Sequence, residues 1–177
     1  DEKRYFSPLK VQESYPAAAN DKQAKTHLVL GWLLGHSTDL KQQLRANLLS
    51  RVLLDNSASP LRKELETCGL GTGPSQLCGL EDSNKEMTFV CGLEGAEITD
   101  SQAFETLVLN CLERVASEGV PQSEIEAALH QLELGQREVG GDGYPFGMQL
   151  ILSALPAAIH GGDALAALNL DPVLSEL

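Results

Sequence analysis

The chain has 177 residues, 42% hydrophobic and 21% charged, which is the composition of a folded globular protein with enough length for one buried core. No apolar run reaches the roughly 18 residues that a membrane-spanning helix needs. The net charge of −12, with no basic cluster, repels phosphate backbones and argues against nucleic-acid binding. An acidic surface serves solubility first and the attraction of basic peptides second.

Residues 1–25 are polar, carry Pro8 and Pro16 and show no period, so they read as a linker or extended lead-in to a single domain over 26–177. The opening "DEKRYFSPLK" lacks the apolar core of a signal peptide. A start on Asp rather than Met suggests a piece of a longer polypeptide. "HLVLGWLL", His27 to Leu34, has apolar residues in both alternation classes and predicts a strand covered on both faces. Asp39 then opens a helix to about Asp55, with Leu40, Leu44, Leu48 and Val52 at every fourth position. Ser59-Pro60 starts a second helix that stops at Gly69. "GLGTGP" is glycine-rich, but a phosphate cradle follows a strand and opens a helix, and this order is reversed; it predicts a cap and turn.

"SQLCGL" and "EMTFVCGL" flank the polar turn Glu81–Lys85 and predict a hairpin, with Met87, Phe89, Cys91 and Leu93 on one face. Thr99-x-x-Gln102 has the form of a capping box. The helix after it buries Phe104, Leu107, Val108, Cys111, Leu112 and Val115 and ends at Gly119. Pro121 starts a further helix to about Val139. "GGDGYPFG" separates it from the apolar helix "MQLILSALPAAIHGG", in which Pro156 predicts a kink. Asp163 caps a short last helix, "ALAALNL". The alternation predicts an α+β fold: a mainly antiparallel sheet with helices packed on one face.

Chemistry is hard to find along this order. His130-x-x-Glu133 is one residue short of the inverted zinc motif H-x-x-E-H, because Leu134 stands where the second imidazole belongs. Glu126, His130, Glu133 and Arg137 instead form a ladder of alternating charge, the pattern of a solvated helix face. His27, His36 and His160 lack neighbours suited to a metal. Cys68, Cys78, Cys91 and Cys111 show no C-x-x-C spacing, and Cys91 and Cys111 lie on apolar faces, as buried reduced thiols do. No serine sits in G-x-S-x-G. The reading is of a folded domain without metal or catalytic machinery.

Three stretches carry a resemblance: "WLLGHSTDLKQQLRANLLSRVLLDNSASPLRKELETCGLG", "GVPQSEIEAALHQLELGQRE" and "GYPFGMQLILSALPAAIHGGDAL". With the runs S-P-L-x-x-x-L-x-x-x-G-L-G and L-P-x-x-x-x-G-G-D in order, the chain resembles the presequence protease branch of the insulinase/pitrilysin zinc metallopeptidases. The resemblance implies the metallohydrolase-like α+β domain of that family, whose enzymes are clamshells of two halves with two such domains each. Only the first domain carries the zinc helix, similar to H-I-L-E-H-S-V-L-C-G-S. The similar segment here is "NLLSRVLLDNS", with Asn47 and Arg51 at the two histidines and Ser50 at the glutamate.

The resemblance therefore implies the second, non-catalytic domain of a zinc metalloendopeptidase. Its partners would be the catalytic domain and C-terminal half of the same polypeptide and unfolded peptides, with the zinc held in the first domain. It further implies a peptide-holding role at Leu34, Gly35 and His36 and at Leu77, Cys78 and Gly79. Such a protein works in an organelle in eukaryotes and in the cytoplasm in bacteria. The competing expectation is an independent acidic binding or scaffold domain that shares only the fold.

Overall fold

A computed structural model describes residues 6–16, 26–137 and 145–174. Residues 6–16 form neither helix nor strand and are exposed, though Lys10 pairs with Glu105 at 2.8 Å and the Tyr15 ring meets His27 edge-on. The remaining lead-in residues, the predicted stop near Val139 and most of the "GGDGYPFG" break lie outside the described residues.

The centre of the fold is β4 (Glu86–Ala96), whose alternation puts Met87, Phe89, Cys91 and Leu93 on one buried face. β1 (Thr26–His36) pairs with it antiparallel along one side, Trp32 opposite Phe89 with ring centroids 6.0 Å apart. β2 (Gly73–Pro74) and β3 (Gly79–Glu81) both pair with its other side, giving a four-stranded antiparallel sheet. Gly92 allows the close approach of β1 to β4, since a Cβ there would stand 2.7 Å from the Leu28 carbonyl oxygen. Gly92→Ala is expected to cost about 1–3 kcal/mol through this backbone clash. Urea unfolding of the variant checks it, and an unchanged midpoint would contradict the strand spacing.

Among the described residues only one face of β1 is covered, contrary to the expected two-sided burial. Leu28, Leu30, Trp32 and Leu34 pack on the core, whereas Val29 and Leu33 are 44% and 60% exposed. An antiparallel sheet leaves one face open when no second layer sits on it, and composition does not register that difference.

Asp39 caps α1 (Leu40–Leu54) by accepting the Gln42 N–H at 3.1 Å. That N–H, with the Gln42 side-chain amide behind it, holds the Asp39 carboxyl below the usual carboxylate range. α2 (Pro60–Thr67) buries Leu61 and Leu65 and ends where Gly69 turns left-handed at φ +69°. Ser59 holds the N-cap position without a cap bond, its hydroxyl accepting from the Asn56 N–H at 3.3 Å instead.

α3 (Ser101–Glu118) presents the expected apolar face, with Phe104, Val108 and Cys111 fully buried. The Thr99 capping box does not form. A 3-10 turn over Ile98–Asp100 already encloses Thr99 and moves the cap to Asp100, which makes no side-chain cap bond. Leu53, Leu54, Leu61, Leu65, Phe104 and Val108 meet the inner face of β4 to form the core.

α4 (Gln122–Arg137) packs beside α1, and α5 (Phe146–Ile159) continues through Pro156. Asp163 does cap the turn after it, accepting the Leu165 and Ala166 N–H groups at 2.9 and 3.1 Å, but that turn is a short 3-10 helix, Ala166–Leu168. α6 (Asp171–Leu174) follows.

Candidate functional site

The segment similar to a zinc helix is the middle of α1, and its periodic leucines make it a helix whatever its polar positions hold. Asn47, Ser50 and Arg51 are half-buried there. Arg51 reaches back one turn to donate from Nε to Asn47 Oδ1 at 3.4 Å. The two side chains thus engage one another across one turn of the helix. A guanidinium repels a divalent cation, while the Ser50 hydroxyl is too weak a base to activate water.

The other ligand types are dispersed. The His130 side chain on α4 is 70% exposed with Nδ1 4.0 Å from Glu133 Oε2, an i,i+3 pair on an open surface. Glu126 accepts from Gln122 Nε2 at 3.3 Å. His160 Nε2 lies 2.9 Å from the Ser83 carbonyl oxygen, His27 is engaged with Tyr15, and His36 ends β1. Among the described residues no three His, Cys, Asp or Glu side chains are grouped to hold a metal ion. A cleft of about 180 Å³ between α3 and α4 is lined by Arg114, Glu118, Pro121 and Glu124, without cysteine, histidine or serine.

The four cysteines are free thiols, and burial works against nucleophilic behaviour at Cys78, Cys91 and Cys111. Burial pushes Cys91 up to about 12 and raises Cys78 and Cys111 as well. A reactive cysteine needs the opposite shift. The Cys78 sulfur is engaged with the Gly92 backbone, accepting its N–H at 3.2 Å.

The two candidate peptide-holding segments flank β4 from opposite sides rather than sharing an edge. Leu34 and Gly35 occupy a register shift between Leu33–Thr88 and His36–Glu86, where the chain bulges off the ladder. A Cβ on Gly35 would overlap the end of the Gln42 side chain, which would have to swing aside. Leu77 is 65% exposed, but the Leu77 and Cys78 N–H groups are already bonded to Ser75 at 3.2 and 3.1 Å. Among the described residues β1 pairs with β4 alone, so its other edge is unpaired. Sequence reasoning missed the open face of Val29 and Leu33; the alternation of Gly31 with them was the available signal.

The family profile described as "Peptidase M16 inactive domain" matches residues 2–132. The chain belongs to this family. As an inactive M16 domain it is a non-catalytic part of a zinc protease family. It is 31% identical over 178 residues to presequence protease 1, chloroplastic/mitochondrial, of Arabidopsis thaliana, covering 99% of this chain and 16% of that one. It is 30% identical over 154 residues to the mitochondrial presequence protease of Yarrowia lipolytica, covering 87% and 15%. The M16 domain therefore spans about one sixth of the length of these relatives. Its fold is similar to the crystallised inactive peptidase domain of a protein assigned as a zinc protease from Bordetella parapertussis, with TM-score 0.62, 16% identity and coverage of 89% and 83%. No helix among the described residues is long and apolar enough to cross a membrane.

Proposed function

We propose that this M16 domain is the second, non-catalytic domain of a zinc metalloendopeptidase that degrades unfolded peptides, and that it helps wall the chamber in which a sibling domain cuts. The Arg51–Asn47 contact on α1 supports the reading, because it puts a cation and an amide on the segment that resembles a zinc helix. Residues 26–177 act as one unit behind a lead-in over 1–25, with the helices on one face of the sheet. The other face, with Val29 and Leu33 open, is turned toward the chamber. Unfolded peptide adds along the backbone near Leu34, Gly35 and His36, with Leu77, Cys78 and Gly79 as a second contact; main-chain pairing of this kind tolerates many sequences. Zinc is held in the parent's first domain. Working beside the catalytic domain and C-terminal half, the protein acts in an organelle if eukaryotic and in the cytoplasm if bacterial.

Elemental analysis tests this. The parent is expected to carry about one equivalent of zinc, and the 177-residue chain well below one. Restoring the motif with Asn47→His, Ser50→Glu and Arg51→His is expected to leave the chain without stoichiometric zinc, since a third protein ligand is still missing. A tightly bound equivalent in the unaltered chain, or peptide hydrolysis by it, would sink the reading.

A further inference from the structure

Between Phe146 and Ile159, α5 carries no Asp, Glu, Lys or Arg. A helix that is apolar all round is ordinarily enclosed on every side. Here Met148, Ile151, Leu152, Leu155 and Ile159 are 47%, 64%, 46%, 42% and 66% exposed. At 100° per residue these positions fall within an arc of about 100°, one continuous stripe. Ala157, on the opposite side, is buried. On that side Gly162 donates to the Ala157 carbonyl at 2.7 Å and packs against Thr38, and His160 is tied to the Ser83 carbonyl. The helix is held at its C-terminal end; further along, Phe146 and Leu150, on the Ala157 side, are 41% and 38% exposed as well, and the stripe is bare along its length among the described residues.

We propose that this stripe is an intramolecular seam, covered in the longer protease by an uncharged apolar face of the same polypeptide from outside residues 1–177. The inference rests on the reading of the chain as one domain of such a protease. Relatives carry the matching segment as 16% and 15% of a single chain, leaving about five-sixths of the polypeptide to supply the cover. The stripe offers no charge to select a charged partner, and a net charge of −12 opposes a second copy of this chain.

Thiol labelling in the intact parent protein tests it, with Ile151→Cys and Leu155→Cys read out separately by peptide mass spectrometry. The seam predicts labelling at least about a hundredfold slower in the folded parent than in urea. Labelling at both positions within about threefold of the unfolded rate would overturn it. Protection that disappears on dilution would assign the stripe to a second copy and overturn it equally. Zinc content of the same samples reports on the underlying function separately: a zinc-loaded parent with a fast-labelling stripe would remove the seam and leave that function standing.

Discussion

Phe104→Ala is expected to destabilise the chain by about 3–5 kcal/mol. The ring is 2% exposed, at the centre of the cluster where α3 meets the inner face of β4 and the end of α1. Removing it deletes both its transfer free energy and its contacts, and the surrounding leucines collapse only partly into the space. Domains are stable by only about 5–15 kcal/mol, so the loss is a large fraction of the total. For a chain of this size the melting temperature should fall by about 6–20 °C in calorimetry. Asn110→Ala, on the exposed side of the same helix, should move stability by no more than about 0.5 kcal/mol. Comparable small losses in both variants would mean that α3 does not pack as described.

Alkaline pH should destabilise the domain through Cys91. Burial, with smaller contributions from Cys78 and Cys111, raises its thiol from an ordinary 9.0 to about 12. Below about pH 9 the thiol is neutral in both folded and unfolded chains and exerts no pH-dependent pull. Between about 9 and 12 the unfolded chain releases the proton while the folded chain keeps it, so stability falls as pH rises. The loss should reach about 2–3 kcal/mol by pH 11 and about 4 at its limit. Denaturant titrations from neutral pH to pH 11, on the wild type and Cys91→Ala, measure it. The substitution itself costs about 1 kcal/mol at neutral pH, and the variant should then show the shallower decline. Parallel declines would mean that Cys91 is not desolvated. Cys78 and Cys111 are present in both proteins, so the difference between the two declines reports Cys91 together with its coupling to them.

Much of the fold was legible before any coordinates. The fourfold spacing from Leu40 to Val52, the Phe104–Val115 face and the alternation from Met87 to Leu93 each report a local period, and each became the element it predicted. Glycines at 69 and 119 ended helices where expected. The Thr99 box failed because its pattern says nothing of a 3-10 turn inserted one residue earlier. At the candidate site the sequence shows side-chain chemistry alone: Asn47, Ser50 and Arg51 carry no imidazole and no carboxylate.

The sequence by itself determined where the long helices and the long strands lie and which side of β4 and of α3 is apolar. These follow from side-chain type and local repeat, and they need no knowledge of neighbours. Tertiary structure alone decided that β1 is covered on one side, that β2 and β3 share the far side of β4, and that α5 is left with a bare apolar stripe. Periodicity names the side chains that avoid water. What arrives to cover them depends on segments distant in the chain, whose approach no local pattern encodes.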